Sequence, residues 1–430
     1  MASSSAAKRS VFRSLGSGGI WRALSERNYR FYVTGSGCSM IGMWMQRLAV
    51  GWLTWHLTES GYWLGIISFA DIAPAVALLP LTGAVADRVD RLKMLKLSQI
   101  LSCVFASIMA AMSYADLLTI HWLLIFTLVQ GTVTAFNQPV RLALVPNLVQ
   151  KANMAPAIAI HSMLFNVARF IGPAVSAWLI VTDGPSLALA INAASYILYS
   201  ILLSMIRLVQ ADDVVLRRPL RDIPAEIFDG FRYAIRHEGI GTLLVLTLVF
   251  GAFGRNYTEL LPGFAGQVFG RGADALGMMT SLIGAGAIVA GVWLSNRGRV
   301  AGLLNIGTAG MAGLIIVVGV FAVTHVFWVG LACLTLAGFF ASVVGISQQI
   351  LVQAAVDSQM RGRVLGVYGL LSRGGPGIGA LIMGALSTHF GLQAPVAAGA
   401  AVCFVGWIWL MQRRRPIRSS LEEAQTSVGS

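Results

Sequence analysis

Long runs of apolar residues alternate with short polar connections along almost the whole chain. A helix of about 20 residues crosses the roughly 30 Å of bilayer hydrocarbon, and twelve runs have about that length. The predicted transmembrane helices cover residues 30–56, 62–84, 94–114, 120–142, 156–181, 186–208, 239–262, 274–296, 300–322, 326–352, 362–387 and 391–412. The pattern therefore predicts an all-α membrane protein.

The longest polar connection, between the sixth and seventh predicted helices, divides the chain into two halves of six helices. The predicted organisation is an N-terminal tail (1–29), a six-helix bundle (30–208), a linker (209–238), a second six-helix bundle (239–412) and a C-terminal tail (413–430). The linker contains an amphipathic patch, Ile223, Ile227, Phe228, Phe231 and Ile235, that is typical of a helix lying on a membrane surface.

Composition agrees with a polytopic membrane protein. Of the 430 residues, 56% are hydrophobic and 11% are charged, and the mean hydropathy is +0.74. A soluble domain cannot bury that much apolar surface. The net charge of +13 indicates Lys and Arg collected in cytoplasmic loops, so we expect no nucleic-acid partner.

The distribution of basic residues fixes the predicted orientation. If the N-terminus is cytoplasmic, nearly all Lys and Arg in the loops or at helix ends, Arg141 among them, fall on the cytoplasmic side, and Arg271 is the exception in an outer loop. The short outer turns instead carry the acids Glu59, Asp116 and Asp183. This asymmetry predicts that both termini are cytoplasmic.

One charged stretch, residues 83–93, interrupts the second and third apolar runs. Charges are costly in hydrocarbon, so this short loop must lie at a membrane surface. Asp87 is expected to cap the following helix or to meet its positive N-terminal dipole. The loop is either an ordinary turn held by charge or a functional gate; the residues concerned are Gly83, Asp87, Arg88, Asp90 and Arg91.

This loop resembles the signature of the major facilitator superfamily, G-x-x-x-D-R-x-x-R-[RK]. Gly83, Asp87, Arg88 and Arg91 match it, whereas Leu92 occupies the last basic position. The resemblance implies a carrier whose two pseudo-symmetric six-helix bundles rock around a central cavity, with this loop as its cytoplasmic gate. Three pairs of identical residues recur at one constant offset along the chain: Arg47 and Arg255, Gly83 and Gly291, and Arg91 and Arg299. This partial repetition supports two related halves.

Apart from charges in the first or last three positions of a predicted helix, six charged residues lie inside predicted helices, where each costs about 2.5–3.5 kcal/mol or more unless it faces a partner or a wet cavity. They are Arg47, Asp71, Arg169, Arg255, Glu259 and Arg373. Arg47 and Asp71 are each about 12 residues from the turn at Glu59, so both should lie about 18 Å below it and contact each other. Either they form a structural ion pair, or Asp71 exchanges a proton while Arg47 tunes its pKa.

The other four charges form two predicted groups. Arg255 and Glu259 are four residues apart and should share a helix face, where they can pair. Glu259 either serves only in this structural pair or contacts protons or substrate. Arg169 and Arg373 occupy corresponding helices of the two halves, and each precedes a Gly-Pro pair. We expect either tight helix packing or hinges at these pairs, Gly172, Pro173, Gly375 and Pro376.

Further stretches resemble one bacterial branch of the superfamily, the transmembrane secretion effectors, which include enterobactin-exporter-like carriers of siderophores, drugs and secondary metabolites. They are residues 27–31, 43–47, 51–53, 137–139, 361–364 and 368–376. The resemblance implies a bacterial plasma (inner) membrane location. The antiporter motif G-P-x-x-G-G is incomplete, because Ser176 and Ala177 replace its last two glycines.

The predicted function is proton-coupled efflux of small amphipathic molecules, such as siderophores, drugs or secondary metabolites, by a monomer working through alternating access. The expected partners are the substrate, protons and the bilayer. No nucleophile–base set, metal-ligand spacing or nucleotide-binding loop is present, so we expect no enzyme activity, no metal and no cofactor. An importer or lysophospholipid flippase of the same fold, and a sensor or secretion accessory that does not cycle, are the alternatives.

Overall fold

The described part of the chain folds almost entirely into helices. The computed structural model describes residues 17–78, 81–82, 85, 89–207, 223–297, 302–357, 359–414 and 417, and these contain no strand. The α-helices are α1 (Ser17–Ser25), α2 (Arg27–Thr58), α3 (Gly61–Ala77), α4 (Arg91–Tyr114), α5 (Ile120–Leu144), α6 (Met154–Asp183), α7 (Pro185–Ser204), α8 (Ile223–Arg236), α9 (Glu238–Val249), α10 (Tyr257–Gly263), α11 (Ala273–Arg297), α12 (Leu303–Val323), α13 (Phe327–Ala355), α14 (Arg361–Phe390) and α15 (Gln393–Gln412).

Each predicted transmembrane run contains helix. Among the residues described, nine helical segments are long and apolar enough to cross a bilayer, and α3 is a shorter apolar helix. The remaining two runs correspond to α2 and α14, which carry Arg47 and Arg373 within their length. The prediction of an all-α membrane protein is confirmed.

Helix α1 forms inside the segment predicted to be an N-terminal tail. Its Ala23 is fully buried in a core that also contains Tyr29, Tyr199 and Leu144. Apolar residues of α1 supply the contact, since Ile20 and Leu24 pack against the same core. Burial of one helix face therefore orders residues 17–25, and residues 1–16 lie outside the described part of the chain.

The chain divides into two compact units. The first comprises the described residues of 1–49, 78–118 and 129–218, and the second comprises those of 50–77, 119–128 and 219–430. In the first unit, the rings of Tyr29 and Tyr199 each lie 6.3 Å from that of Tyr32. The second unit has an aromatic core in which Phe264 lies 4.7 Å from Phe321. The halves 30–208 and 239–412 stay a prediction.

Glycines set the closest helix packing in the second unit. A Cβ atom on Gly384 of α14 would lie 2.7 Å from the carbonyl oxygen of Gly61 and 3.0 Å from Gly65 Cα, both on the α3 side. Gly338 of α13 likewise abuts the backbone carbonyl of Ile283 in α11. Small residues of this kind let transmembrane helix backbones approach each other without side chains between them.

The seventh predicted helix is not continuous. After α9 the backbone forms a π-turn at Phe250–Gly254, leaves the helical pattern at Arg255 and Asn256, and forms a second π-turn, Phe264–Val268, after α10. The Asn256 side chain donates to the carbonyl of Ala252, and Gly379 of α14 packs against both. Single-turn π-segments are rare and recur at functional sites. Arg255 and Glu259 were predicted to share one face of a regular helix. The break at Arg255 and Asn256 interrupts that helix.

Candidate functional site

Two of the predicted arginines meet at one tryptophan. The Cζ atoms of Arg47 and Arg169 lie 5.9 Å and 5.8 Å from the ring centroid of Trp44. Helices α2 and α6 approach closely because Gly172 has no side chain: a Cβ there would lie 2.6 Å from Trp44 Cβ. The Ser176 hydroxyl adds a hydrogen bond of 2.9 Å to the Met45 carbonyl oxygen. We call Arg47, Trp44 and Arg169 the arginine–tryptophan cluster.

A small cavity lies beside this cluster in the first unit. It has a volume of about 80 Å³ and is lined by side chains of α2, α4, α5, α6 and α7. Phe165 connects the two features, since it lines the cavity and its ring makes an edge contact with Trp44, with centroids 5.9 Å apart. We call this cavity the polar pocket; its main polar side chains are Gln99, Gln130, Asn137, Arg141, His161 and Tyr196.

Arg141 is the charged group of the polar pocket. Its Nη2 donates a hydrogen bond to Ser36 Oγ, and its Cζ lies 5.9 Å from the ring centroid of Tyr199. Its Nε is buried and has no hydrogen-bond partner among the described residues. The sequence pattern assigned Arg141 to the cytoplasmic charges, whereas the structure directs its side chain into the pocket.

The other polar side chains are only partly satisfied. Gln130 Nε2 donates to Ser102 Oγ at 3.2 Å and to the Tyr196 hydroxyl at 3.3 Å. Within the part of the chain that is described, Asn137 Oδ1 and His161 Nδ1 are buried without a hydrogen-bond partner. Buried polar atoms normally have a protein or water partner. The pocket therefore offers both donors and acceptors to water or to a small polar group.

No described carboxylate of the first unit lines the pocket. The acids of this unit that the structure describes are at helix boundaries: Glu26, Asp90, Asp116 and Asp183. Glu26, for example, accepts hydrogen bonds from the backbone of Gln150 and the side chain of Asn153. A buried cation is costly without a counter-charge, so Arg141 makes the pocket a site that favours an anion.

The remaining predicted charges lie in the second unit. Asp71 is half-buried on α3, Arg255 is exposed at the break after the first π-turn, and Arg373 is exposed on α14. Glu259 is half-buried in the first turn of α10, where Thr258 Oγ1 donates to its Oε1 at 3.4 Å. Arg47 and Asp71 belong to different units, and their contact stays a prediction.

The predicted gate loop is described at Val85 and from Val89 onward. Gly83, Asp87 and Arg88 lie outside the described residues. The N-cap of α4 is Asp90, whose carboxylate accepts from the backbone N–H groups of Leu92 and Lys93 at 2.9 and 3.1 Å. Arg91 Nη1 donates to the Ala143 carbonyl oxygen at 3.4 Å, where the negative end of the α5 dipole favours a cation.

The predicted hinges lie within unbroken helices. Gly172 and Pro173 are inside α6, and Gly375 and Pro376 are inside α14. Both glycines make close helix contacts; a Cβ on Gly375 would lie 3.2 Å from the Leu248 carbonyl oxygen. The packing interpretation of these residues is thus visible in the structure, and hinge motion stays a prediction.

The residues that sequence reasoning missed carry a recognisable pattern. Gln130, Thr134, Asn137 and Arg141 recur at helical spacing along α5, and all four line the polar pocket. A polar stripe on an otherwise apolar helix marks the face that turns away from lipid. The sequence shows that His161 is a histidine inside a helix. Its proximity to Arg141, however, depends on how α5 and α6 pack.

Comparisons with known proteins agree with this architecture. The family model described as "Transmembrane secretion effector" matches residues 18–428. The staphyloferrin A transporter of Staphylococcus aureus is 24% identical over 93% of this chain and 99% of its own length. The enterobactin exporter EntS of Shigella flexneri is 23% identical, covering 85% of this chain and 86% of its own length.

The fold is shared with a solved structure of a bacterial homologue of the human lysosomal transporter Spinster. The TM-score is 0.72 at 15% identity, with 92% of this chain and 98% of that chain covered. These findings bear out the predicted major facilitator fold and a transport function in place of enzyme activity. The chain belongs to the transmembrane secretion effector family, a branch of the major facilitator superfamily of multi-pass membrane transporters.

Proposed function

We propose that this transporter exports small anionic molecules of the siderophore type from the cytoplasm, coupled to the inward movement of protons. The single observation that carries the anionic substrate is Arg141, held in the polar pocket with no described carboxylate of its unit beside it. The relatives support the substrate class, since one is named for staphyloferrin A and another for enterobactin.

The pocket receives one acidic group of the substrate. Its volume of about 80 Å³ is well below the roughly 300–1,000 Å³ of sites that enclose a drug-sized molecule. A carboxylate or catecholate oxygen fits, and it would accept a charge-assisted hydrogen bond from the Nε of Arg141. The His161 ring and the Gln130 amide provide further polar contacts.

The arginine–tryptophan cluster extends this positive surface. Trp44 holds Arg47 and Arg169 by cation–π contacts, which are worth about 0.5–2 kcal/mol each depending on desolvation. Two fixed guanidinium groups next to the pocket favour a substrate with more than one acidic group over a cationic drug. We assign Arg47 and Arg169 to attraction and positioning of such a substrate.

Proton coupling is assigned to Asp71 or Glu259. Both are carboxylates within membrane-spanning helices, where ionisable groups are costly and usually functional. Protonation from outside would neutralise one of them, and release of the proton inside would accompany the return of the empty carrier. In this scheme the carrier works as a monomer with cytoplasmic termini in the bacterial plasma membrane, and the loop of Gly83, Asp87, Arg88, Asp90 and Arg91 closes the cytoplasmic side.

A liposome experiment tests the substrate class. The purified chain is reconstituted with a pH gradient, and the flux of iron-free staphyloferrin A, enterobactin and a cationic dye is measured. We expect flux of an anionic siderophore that falls at least about tenfold in Arg141→Gln and recovers partly in Arg141→Lys. The matched control Arg27→Gln, an exposed arginine at the start of α2, should retain it. Preferred transport of the dye, or unchanged flux in Arg141→Gln, would contradict the proposal.

The same liposomes test coupling. Asp71→Asn and Glu259→Gln are compared with Asp116→Asn, which changes an acid in a turn. One of the first two should lose gradient-driven flux while substrate still binds. If flux ignores the pH gradient in the wild type, the coupling proposal is wrong and a uniport mechanism replaces it.

A further inference from the structure

Helix α8 lies on the side of the second unit where α9 and α14 begin. It is joined to α9 through His237 alone, so it lies at the end of a membrane-spanning segment. Gly230 packs on the backbone of the first turn of α14: a Cβ there would lie 2.8 Å from the Arg363 carbonyl oxygen. This close packing fixes one face of α8.

Two polar contacts fix the rotation of α8. The Tyr233 hydroxyl donates to Asp357 Oδ2 at 2.8 Å, and Arg363 Nη1 forms an ion pair with Asp229 Oδ2 at 3.1 Å. Ala234 is fully buried on the packed side. The opposite side of α8 is therefore presented outward in one defined orientation.

The outward side of α8 carries an apolar stripe. Phe228, Phe231 and Ile235 are 66%, 45% and 64% exposed, and their spacing of three and four residues places them on one helix face. Large exposed apolar stripes on soluble surfaces mark interaction sites. On a helix at the end of a transmembrane segment, such a stripe fits the boundary between headgroups and acyl chains.

A basic hollow adjoins this stripe. It is shallow, has a volume of about 530 Å³, and is lined by Asp229, Arg232, Tyr233, Arg236, His237, Met360 and Arg363. Among the described residues that line it, Asp229 is the one acid, and it is paired with Arg363. Arg232 and Arg236 are exposed. At 100° per residue, they lie about 40° and 80° around the helix axis from Phe228, and so they border the apolar stripe.

We propose that α8 and the first turn of α14 form a binding site for an anionic phospholipid headgroup. The phosphate lies in the basic hollow, where Arg232 and Arg236 donate charge-assisted hydrogen bonds to its oxygens. The acyl chains lie under Phe228, Phe231 and Ile235. Charge complementarity selects an anionic lipid, because the exposed arginines that line the hollow, Arg232 and Arg236, are cationic. The site shares no lining residue with the polar pocket and does not depend on the transported substrate.

Native mass spectrometry of the full-length purified chain tests this site. The dissociation constant of the first bound lipid is measured with phosphatidylglycerol and with phosphatidylcholine of the same acyl chains. We expect tighter binding of phosphatidylglycerol, weakened on the order of tenfold in the double variant Arg232→Gln/Arg236→Gln. The control Arg27→Gln/Arg30→Gln also removes two exposed arginines and should retain it.

Three results would overturn the proposal. They are equal affinity for the two lipids, equal weakening in both double variants, and displacement of phosphatidylglycerol by an equal concentration of inorganic phosphate. The last result would assign a site for free anions in place of lipid. Phe228→Ser/Phe231→Ser should weaken both lipids, since it removes the acyl contact and leaves the hollow intact. Equal thermal stability of the variants shows that each remains folded.

Discussion

The guanidinium of Arg169 lies over the indole ring of Trp44, with its Cζ 5.8 Å from the ring centroid. Arg47 contacts the same ring at 5.9 Å, so one aromatic side chain positions two cations from α2 and α6. A tryptophan has the strongest cation–π attraction of the aromatic residues. The relationship makes Trp44 the organising residue of the arginine–tryptophan cluster.

Replacing Trp44 tests that role. We expect Trp44→Leu to raise the KM for an anionic substrate by about fivefold or more, because both guanidinium groups lose the aromatic face, each contact being worth about 0.5–2 kcal/mol. Trp44→Phe should have a smaller effect. Transport kinetics in liposomes measure this, and Trp328→Leu, at a position 67% exposed in the second unit, serves as the control. Equal KM values for Trp44→Leu and the wild type would show that Trp44 does not position the two arginines for substrate binding.

The hydrogen bond from Arg141 to Ser36 gives a second prediction. Ser36 is fully buried, so Ser36→Ala leaves a buried guanidinium N–H without its acceptor. Such a loss costs about 1–3 kcal/mol, and we expect a lower melting temperature. The anion affinity should be less reduced than in Arg141→Gln, because the cation remains.

Ser204→Ala is the matched control for Ser36→Ala. The Ser204 hydroxyl is exposed and donates to the Ile201 carbonyl oxygen of its own helix, so its removal breaks no contact between helices in the described part of the chain. Thermal unfolding in the same detergent compares the two variants. A melting temperature of Ser36→Ala equal to that of Ser204→Ala would show that the bond to Arg141 adds nothing to stability.

Glycine packing between α3 and α14 gives a third prediction. A Cβ on Gly384 would press against the backbone at Gly61 and Gly65, so Gly384→Ala should destabilise the protein by about 1–3 kcal/mol. Gly366 lies on the same helix, and a Cβ added there would meet no described atom within 4 Å. Gly366→Ala should be neutral or stabilising by up to about 1 kcal/mol, since alanine favours helix. Melting temperatures that shift in the same direction would contradict the packing argument.

The contact between Tyr233 and Asp357 gives a pH-dependent prediction. Burial, followed by the hydrogen bond with Asp357, raises the pKa of the Tyr233 hydroxyl above its ordinary value of about 10. Because the pKa is higher in the folded state, the stabilisation is present below pH 10 and is lost as pH rises through the folded-state pKa. Tyr233→Phe should therefore be less stable than the wild type at pH 7, by about 1 kcal/mol, and the difference should shrink at about pH 11.

Unfolding at the two pH values measures this difference. Tyr114→Phe provides the comparison, because Tyr114 is 84% exposed at the end of α4. If the difference in stability between Tyr233→Phe and the wild type is the same at both pH values, ionisation of the Tyr233 hydroxyl does not weaken its contact with Asp357.

Much of the fold was predictable because the bilayer restricts which residues each membrane-spanning segment can contain. A segment such as 303–323 must be apolar for about 20 residues, and its helix satisfies its own backbone groups. The amphipathic helix α8 was visible for a similar reason, since Phe228, Phe231 and Ile235 share one face at helical spacing. The helical break at Arg255 was not predictable, because π-turns depend on neighbours such as Gly379 in a distant helix.

The sequence by itself determined the helical membrane architecture, the family and the presence of costly charges at Arg47 and Arg169. Only the tertiary structure decided which charges act together: Arg47 and Arg169 meet at Trp44, and Arg141 enters a pocket with His161. The reason is physical. Hydropathy along a chain reports whether each segment can enter lipid, whereas the partner of a buried charge depends on the rotation and depth at which separate helices pack.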